Sequence, residues 1–289
     1  MSKNIVGNIL LYNNAEPDSG LVNIINENGG TLFLLGKYWK KREDREGYDP
    51  IWVSKDVFQK KKVKVTEEKE YALISTKQTG VLTLTINDFG INNEFRHNCI
   101  YQKSAFLSWG YLIRKFICTV LDIETNELQV GYRLSPNTQK HEIFIVETAV
   151  NGAGYCVYLN GDTDYEIAQK MFIDQLSSES KASVYDYLVS ETHEDCTGSC
   201  YDCLRDYYNQ NHHSLLNWRL ALDLAQLASN ESVDLDFSQI YWKEYFTKHL
   251  KSLVSKKYNS ALDETGGYFY FVKDGHKILI TYPFWENRT

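Results

Sequence analysis

Three cysteines, Cys196, Cys200 and Cys203, fall within eight residues of one another in the segment HEDCTGSCYDCLRDYYNQNHHSLLNWR, which reads Cys196-x3-Cys200-x2-Cys203-x9-His213. Two thiolates separated by two residues can grip one metal ion from a single tight turn, and Gly198 would relieve the backbone where the first ligand approaches. Zn²⁺ is the natural occupant, because it is borderline-soft and takes thiolate and imidazole tetrahedrally. Three inert buried thiols would not need this spacing. His213 is the favoured fourth ligand, since it stands where a strongly apolar segment begins and a metal there would clamp a loop onto a core element. His193, in His193-x2-Cys196, is nearly as well placed, and His212, Glu194 and Cys156 stay open.

A catalytic zinc needs an open coordination position with a bound water and a nearby base. The nearest template is the zinc deaminase signature, H-x-E followed at a distance by P-C-x-x-C. It fails, because Asp195 stands where Glu is required, Ser199 precedes Cys200 where Pro is required, and the two elements are too close in sequence. With several fourth ligands at hand, a closed structural site is favoured over a hydrolytic one that would use Glu194, Asp195 or His212.

Other chemistry is missing. Gly36-Lys37 is followed by Tyr38, so there is no phosphate-binding loop, and no G-x-S-x-G elbow occurs. Asp263-Glu264-Thr265-Gly266 without a phosphate loop reads as the approach to a hairpin. His249-x-Lys251 lacks the later acidic residue that a phospholipase-type nuclease would need. The chain is expected not to be an enzyme.

The 289 residues carry 31 Lys plus Arg against 38 Asp plus Glu, a net charge of −7, which excludes a generally basic nucleic-acid coat. DNA contact must be local, and the candidates are Arg205, Arg219 and the basic run Lys243, Lys248, Lys251, Lys256 and Lys257, whose ordinary reading is a solvated helix face. The abundant aromatic residues can build a sizeable core. No apolar run is long enough for a membrane span or a signal peptide, so a cytoplasmic location with no membrane partner is expected. Cys99, Cys118 and Cys156 are scattered and read as packing residues.

These features need an α+β framework. Residues 1–75 read as a β-rich N-terminal subdomain, with a hairpin about Asn28-Gly29-Gly30 and a solvated charged stretch that includes Lys60, Lys61, Lys62 and Lys64. Residues 76–230 read as the zinc-binding domain. There VLTLTI, ELQVGYRL and HEIFIVETAV are strands of a mixed sheet flanked by helices. SAFLSWGYLIRKFICTVLDI has helical apolar spacing behind a cap at Ser104, TDYEIAQKMFIDQLSS suits a helix, and SLLNWRLALDLAQLA suits a buried one. Residues 231–289 hold a basic amphipathic helix and a hairpin about Lys273-Asp274-Gly275 that packs on the domain before it.

The combination of HEIFIVETAVNGAGY with CTGSCYDCLRDYYNQNHHSLLNWRLALDLAQL resembles the MrfA-like zinc-binding (MZB) domain, found at the C-terminus of bacterial superfamily 2 helicases and in DrmB-type subunits of DISARM antiphage systems. The acidic-Thr-Ala segment is Glu147-Thr148-Ala149 here, and the Gly-rich turn is Asn151-Gly152-Ala153-Gly154-Tyr155. Many relatives carry a Cys near Glu194, and the family's Leu-Asp-(Trp)-Arg reads Leu216-Asn217-Trp218-Arg219. The resemblance implies structural Zn²⁺ on Cys196, Cys200, Cys203 and His213. Because the chain holds no motor, it also implies an accessory subunit for a helicase or nuclease encoded nearby, acting on DNA through that complex in antiphage defence. A zinc-dependent hydrolase or nuclease and a pure protein-interaction or regulatory subunit are the alternatives.

Overall fold

The computed structural model describes backbone strands within residues 3–78, and side chains for residues 79–87, 89, 96, 99–135, 140–149, 152–159, 176, 184–229 and 233–285. The chain is α+β and divides into two compact units, Met1–Gly20 with Thr79–Thr289, and Leu21–Gln78. The smaller unit differs from the expected 1–75 subdomain because the first strands pair with the later part of the chain. Strands β1 (Lys3–Val6) and β2 (Ile9–Asn13) form a hairpin, and β2 continues onto β8.

In the smaller unit, β3 (Gly20–Ile25) pairs with β7 (Ile74–Thr79). Strand β4 (Gly30–Lys41) lies between β5 (Tyr48–Ser54) and β6 (Val65–Tyr71). The hairpin expected about Asn28-Gly29-Gly30 would have joined β3 to β4. Instead β4 spends both its edges on β5 and β6. The lysine run 60–64 lies outside the described residues.

The larger unit is built on a five-stranded sheet in the order β1-β2-β8-β10-β9, with β8 at Val81–Ile86, β9 at Leu128–Leu134 and β10 at His141–Glu147. Every pairing in it is antiparallel. Strand β8 alternates Leu82, Leu84 and Ile86 with Thr83 and Thr85, and all five are buried, as expected of a central strand covered on both faces.

Helix α1 (Ile100–Leu121) packs against β9 and β10. Gly110 sets that spacing. A glycine in a helix interior costs about 0.5–1 kcal/mol relative to alanine, but a Cβ here would stand 2.8 Å from Val130 Cγ1 and 3.3 Å from Ile143 Cδ1. The helix starts earlier than expected. Cys99 is its N-cap, and Ser104 lies inside it, turned to the carbonyl of Leu215. It ends at Asp122 in the left-handed conformation, where the N–H of Ile123 closes on the carbonyl of Cys118.

The Gly-rich turn after β10 leads into the short helix α2 (Tyr155–Asn160). The buried Glu147 carboxylate accepts the N–H groups of Ala153, Gly154 (2.9 Å) and Cys156 (2.8 Å), so it satisfies the donors that a helix start leaves unpaired. Gly80 makes room for it, since a Cβ there would fall 2.3 Å from Glu147 Oε1. The helix expected over 163–178 lies outside the described residues apart from Leu176, which is buried.

Helix α3 (Val184–Leu188) precedes the cysteine segment and α4 (Trp218–Ser229) follows it. As its composition predicts, α4 is buried on nearly every face from Trp218 to Ala228. It is capped by Asn217, whose Oδ1 accepts the Arg219 N–H at 3.0 Å. Helices α5 (Ile240–Tyr245) and α6 (Lys251–Tyr258) are joined by a π-helical turn, Phe246–Leu250. A three-stranded antiparallel sheet closes the chain: β11 (Leu262–Thr265), β12 (Tyr268–Lys273) and β13 (His276–Leu279). The hairpin about Asp274-Gly275 forms as predicted, with both residues at positive φ.

One carboxylate ties these pieces together. Asp223, 2% exposed in the middle of α4, accepts hydrogen bonds from Tyr241 Oη (2.5 Å), Trp242 Nε1 (2.8 Å) and Tyr282 Oη (2.5 Å). Burial pushes its pKa from 3.8 up to about 7, against the lowering effect of the three donors. The folded state therefore holds this proton to a higher pH than the unfolded chain does. Its contribution to stability is complete below about pH 4 and is lost as pH rises through about 7. The stability advantage of the wild type over Asp223→Asn should shrink between pH 4 and 7 and then level off, as read by urea unfolding at a series of pH values. Asp223→Ala, which orphans three buried donors, should lose about 3 kcal/mol or more.

Candidate metal centre

The cysteine segment folds as a series of tight turns. The N–H of Cys196 bonds the carbonyl of His193, and the carbonyl of Cys200 accepts the N–H groups of Cys203, Leu204 and Arg205. The N–H of Cys200 points at Cys203 Sγ at 3.0 Å, an orientation that favours negative charge on that sulfur. Gly198 is not demanded by space, since a Cβ there would meet only the Leu216 carbonyl at an ordinary 3.5 Å.

These turns gather four ligand atoms, from His193, Cys196, Cys200 and Cys203, all within 4.8 Å of one another. Sulfur to sulfur, Cys196 to Cys203 is 4.0 Å and Cys200 to Cys203 is 3.5 Å, while His193 Nε2 stands 3.4 Å from Cys200 Sγ. Metal–sulfur bonds of about 2.3 Å and a metal–nitrogen bond of about 2.0 Å in a tetrahedron give edges of about 3.8 and 3.5 Å. The four residues therefore fit one tetrahedrally bound metal ion.

His193 is 4% exposed, and its other nitrogen, Nδ1, donates to the Leu188 carbonyl at 2.9 Å. That bond places the proton on Nδ1 and leaves the Nε2 lone pair free for a metal. The thiols need such a cation. Their hydrogen bond lowers Cys196 and raises Cys203, which burial also pushes up, to about 12, and burial raises Cys200. Three thiolates this close repel one another unless a positive ion lies between them, so metal uptake must release protons and affinity must fall as pH falls.

His213, the favoured fourth ligand, is not in the cluster. Its Nε2 faces the Asp206 carbonyl at 3.0 Å and Asn209 Oδ1 at 2.7 Å. It helps to order the 3₁₀ segment Tyr207–His212, whose N-cap is Asp206. The other open choices also have different neighbours: His212 Nδ1 meets Tyr111 Oη at 2.7 Å, Glu194 pairs with Lys248, and Cys156 is buried beneath Glu147.

Both flanking elements grip the centre. Along α1, Ser104 reaches the Leu215 carbonyl, Ser108 Oγ accepts the Asn217 N–H at 2.8 Å, Tyr111 meets His212, and Lys115 reaches the Asp202 carbonyl. Positions 104, 108, 111 and 115 share one helix face, so a polar stripe within an otherwise apolar helix reads the metal-bearing loop. Arg114, also buried, pairs with Asp206. From α4, Trp218 Nε1 donates to the Cys196 carbonyl at 3.0 Å, and Arg219 Nη1 donates to the carbonyls of Cys196 and Thr197, both at 3.2 Å.

Arg219 is thus a largely buried support for the loop, 2% exposed, rather than a residue of the open protein surface. Arg205 Nε donates to Ser199 Oγ at 2.8 Å. Lys248 pairs with Glu194 at the surface, while Lys243, Lys251, Lys256 and Lys257 are exposed.

No protein-family model matches this sequence, and no curated protein matches it. Among solved structures, the chain is similar to a crystal structure of the DUF1998 helicase MrfA bound to DNA, at 12% identity and a TM-score of 0.38. That likeness covers 78% of this chain and 26% of the helicase, so the chain spans about a quarter of its length.

Replacing His193 with Ala should abolish stoichiometric metal retention, whereas His213→Ala should keep one metal ion per chain. Metal analysis of the two purified variants by mass spectrometry checks this, and the reverse pattern would restore His213 as the ligand.

Proposed function

We propose that the chain is a zinc-stapled module of the MZB type that serves as a non-catalytic accessory subunit of a helicase- or nuclease-containing DNA-processing complex, in bacterial antiphage defence and in the cytoplasm. The observation that carries the zinc reading is the cluster of His193, Cys196, Cys200 and Cys203. Three thiolates and an imidazole at tetrahedral spacing suit a borderline-soft ion, and four protein ligands leave no position for a reactive water. When bound, the ion would supply folding free energy, because the ligands converge only once the loop is built.

The partner and its DNA rest on the motif resemblance in residues 147–155 and 196–219. Among the described residues, the exposed lysines 243, 251, 256 and 257 are candidates for contact with DNA phosphates or an acidic partner surface. Of the groups suited to a hydrolytic role, His212 is bonded to Tyr111 Oη.

The reading is tested by expressing the tagged chain with its neighbouring genes. A helicase or nuclease should be retained by the wild type and lost in Cys200→Ser, and DNA binding by the complex should weaken steeply as salt rises. Metal-dependent DNA cleavage by the isolated chain, lost in Glu194→Gln with zinc still bound, would overturn it.

A further inference from the structure

Beside the metal loop lies a small, shallow cleft, partly open to solvent, lined by Arg219, Tyr245, Glu194, Lys248, His249 and Glu244 among others. Its inner end is the Arg219 guanidinium, one nitrogen of which has an unused donor. The Arg219 guanidinium is sandwiched between the rings of Trp218 (4.2 Å) and Tyr245 (4.7 Å). Nε bonds the Tyr241 carbonyl at 3.1 Å and Nη1 takes the two loop carbonyls. All three acceptors are neutral, and among the described residues no carboxylate lies within ion-pair distance of Arg219. Nη2 has no hydrogen-bond partner among the described residues and is not sealed from solvent.

A guanidinium donor left without an acceptor in a largely buried position is costly, and an oxyanion on Nη2 would satisfy it. At the mouth, Lys248 is a second cation held by Glu194, and both side chains are about half exposed, so the pair can part at little cost. We propose that this cleft is a receptor for a phosphate-type oxyanion, with Arg219 Nη2 as the inner donor, Lys248 as the outer one, and Glu194 as the resident group that the ligand displaces. A phosphate offers the two cations more oxygens and up to two negative charges, whereas a carboxylate offers two oxygens and one charge. Because Arg219 also holds the carbonyls of Cys196 and Thr197, occupancy is linked to the order of the metal loop. The inference is independent of the partner and DNA reading above.

The test is isothermal titration of the zinc-loaded full chain with inorganic phosphate at fixed ionic strength in chloride, with acetate as the planar control and metal content checked afterwards. Saturable phosphate binding is expected, tightened about threefold or more in Glu194→Gln and weakened by at least about threefold in Lys248→Ala. In Arg219→Lys, where the metal is retained, it should be lost. If Arg219→Lys does not fold, the opposite signs of the other two variants decide. Binding no stronger than chloride, acetate binding as tight as phosphate, or equal affinity in Glu194→Gln and Lys248→Ala would mean an adventitious ion only and would overturn the proposal.

Discussion

Three cysteine sulfurs and an imidazole nitrogen within 4.8 Å of one another form an arrangement that a protein cannot hold comfortably without a cation. As thiols they waste buried polar groups, and as thiolates they repel. A single dication reverses both terms, and the local backbone is arranged for it, with one amide aimed at Cys203 and the His193 tautomer fixed by the Leu188 carbonyl. The larger unit is organised around this small volume.

The support runs outward in two directions. On one side, the polar stripe of α1 holds the loop, while Gly110 on the same helix lets it lie close to the sheet. On the other, Trp218 and Arg219 hold the carbonyls next to Cys196, and four residues further along α4 Asp223 collects Tyr241, Trp242 and Tyr282. Because the same short helix holds the metal loop and the C-terminal elements, loosening one should be felt by the other. Arg219 and Asp223 are both buried charged groups, and each is tolerated for a different reason. Asp223 is surrounded by donors and keeps its proton to near-neutral pH, while Arg219 is flanked by aromatic faces and neutral acceptors.

Local signals were readable from the residues alone, whereas long-range ones were not. The spacing of Cys196, Cys200 and Cys203 announced a metal, the composition of 218–229 announced a buried helix, and Asp274-Gly275 announced a hairpin turn. The choice between His193 and His213 turned on which imidazole has a second partner that aims it, and the Leu188 carbonyl is not visible as a pattern. Ser104, Ser108, Tyr111 and Lys115 did have a legible signal, a polar stripe at helical spacing, but in a strongly apolar helix it reads as noise until the loop is placed against it. Arg219 and Asp223 sat in the apolar run LNWRLALDLAQLA, where a charge implies a buried partner. The surface reading of Arg219 missed this. The pairing of β4 with β5 and β6 rather than β3 reflects a competition among strands that turn residues do not decide.

The central claim is a closed site of three sulfurs and one nitrogen on His193. X-ray absorption at the zinc edge of the purified full chain tests it most directly. The account predicts about three sulfur scatterers near 2.3 Å and one imidazole nitrogen near 2.0 Å, with the imidazole contribution lost in His193→Ala. A shell with fewer sulfurs and an added water oxygen, or an imidazole contribution that persists in His193→Ala and vanishes in His213→Ala, would contradict it.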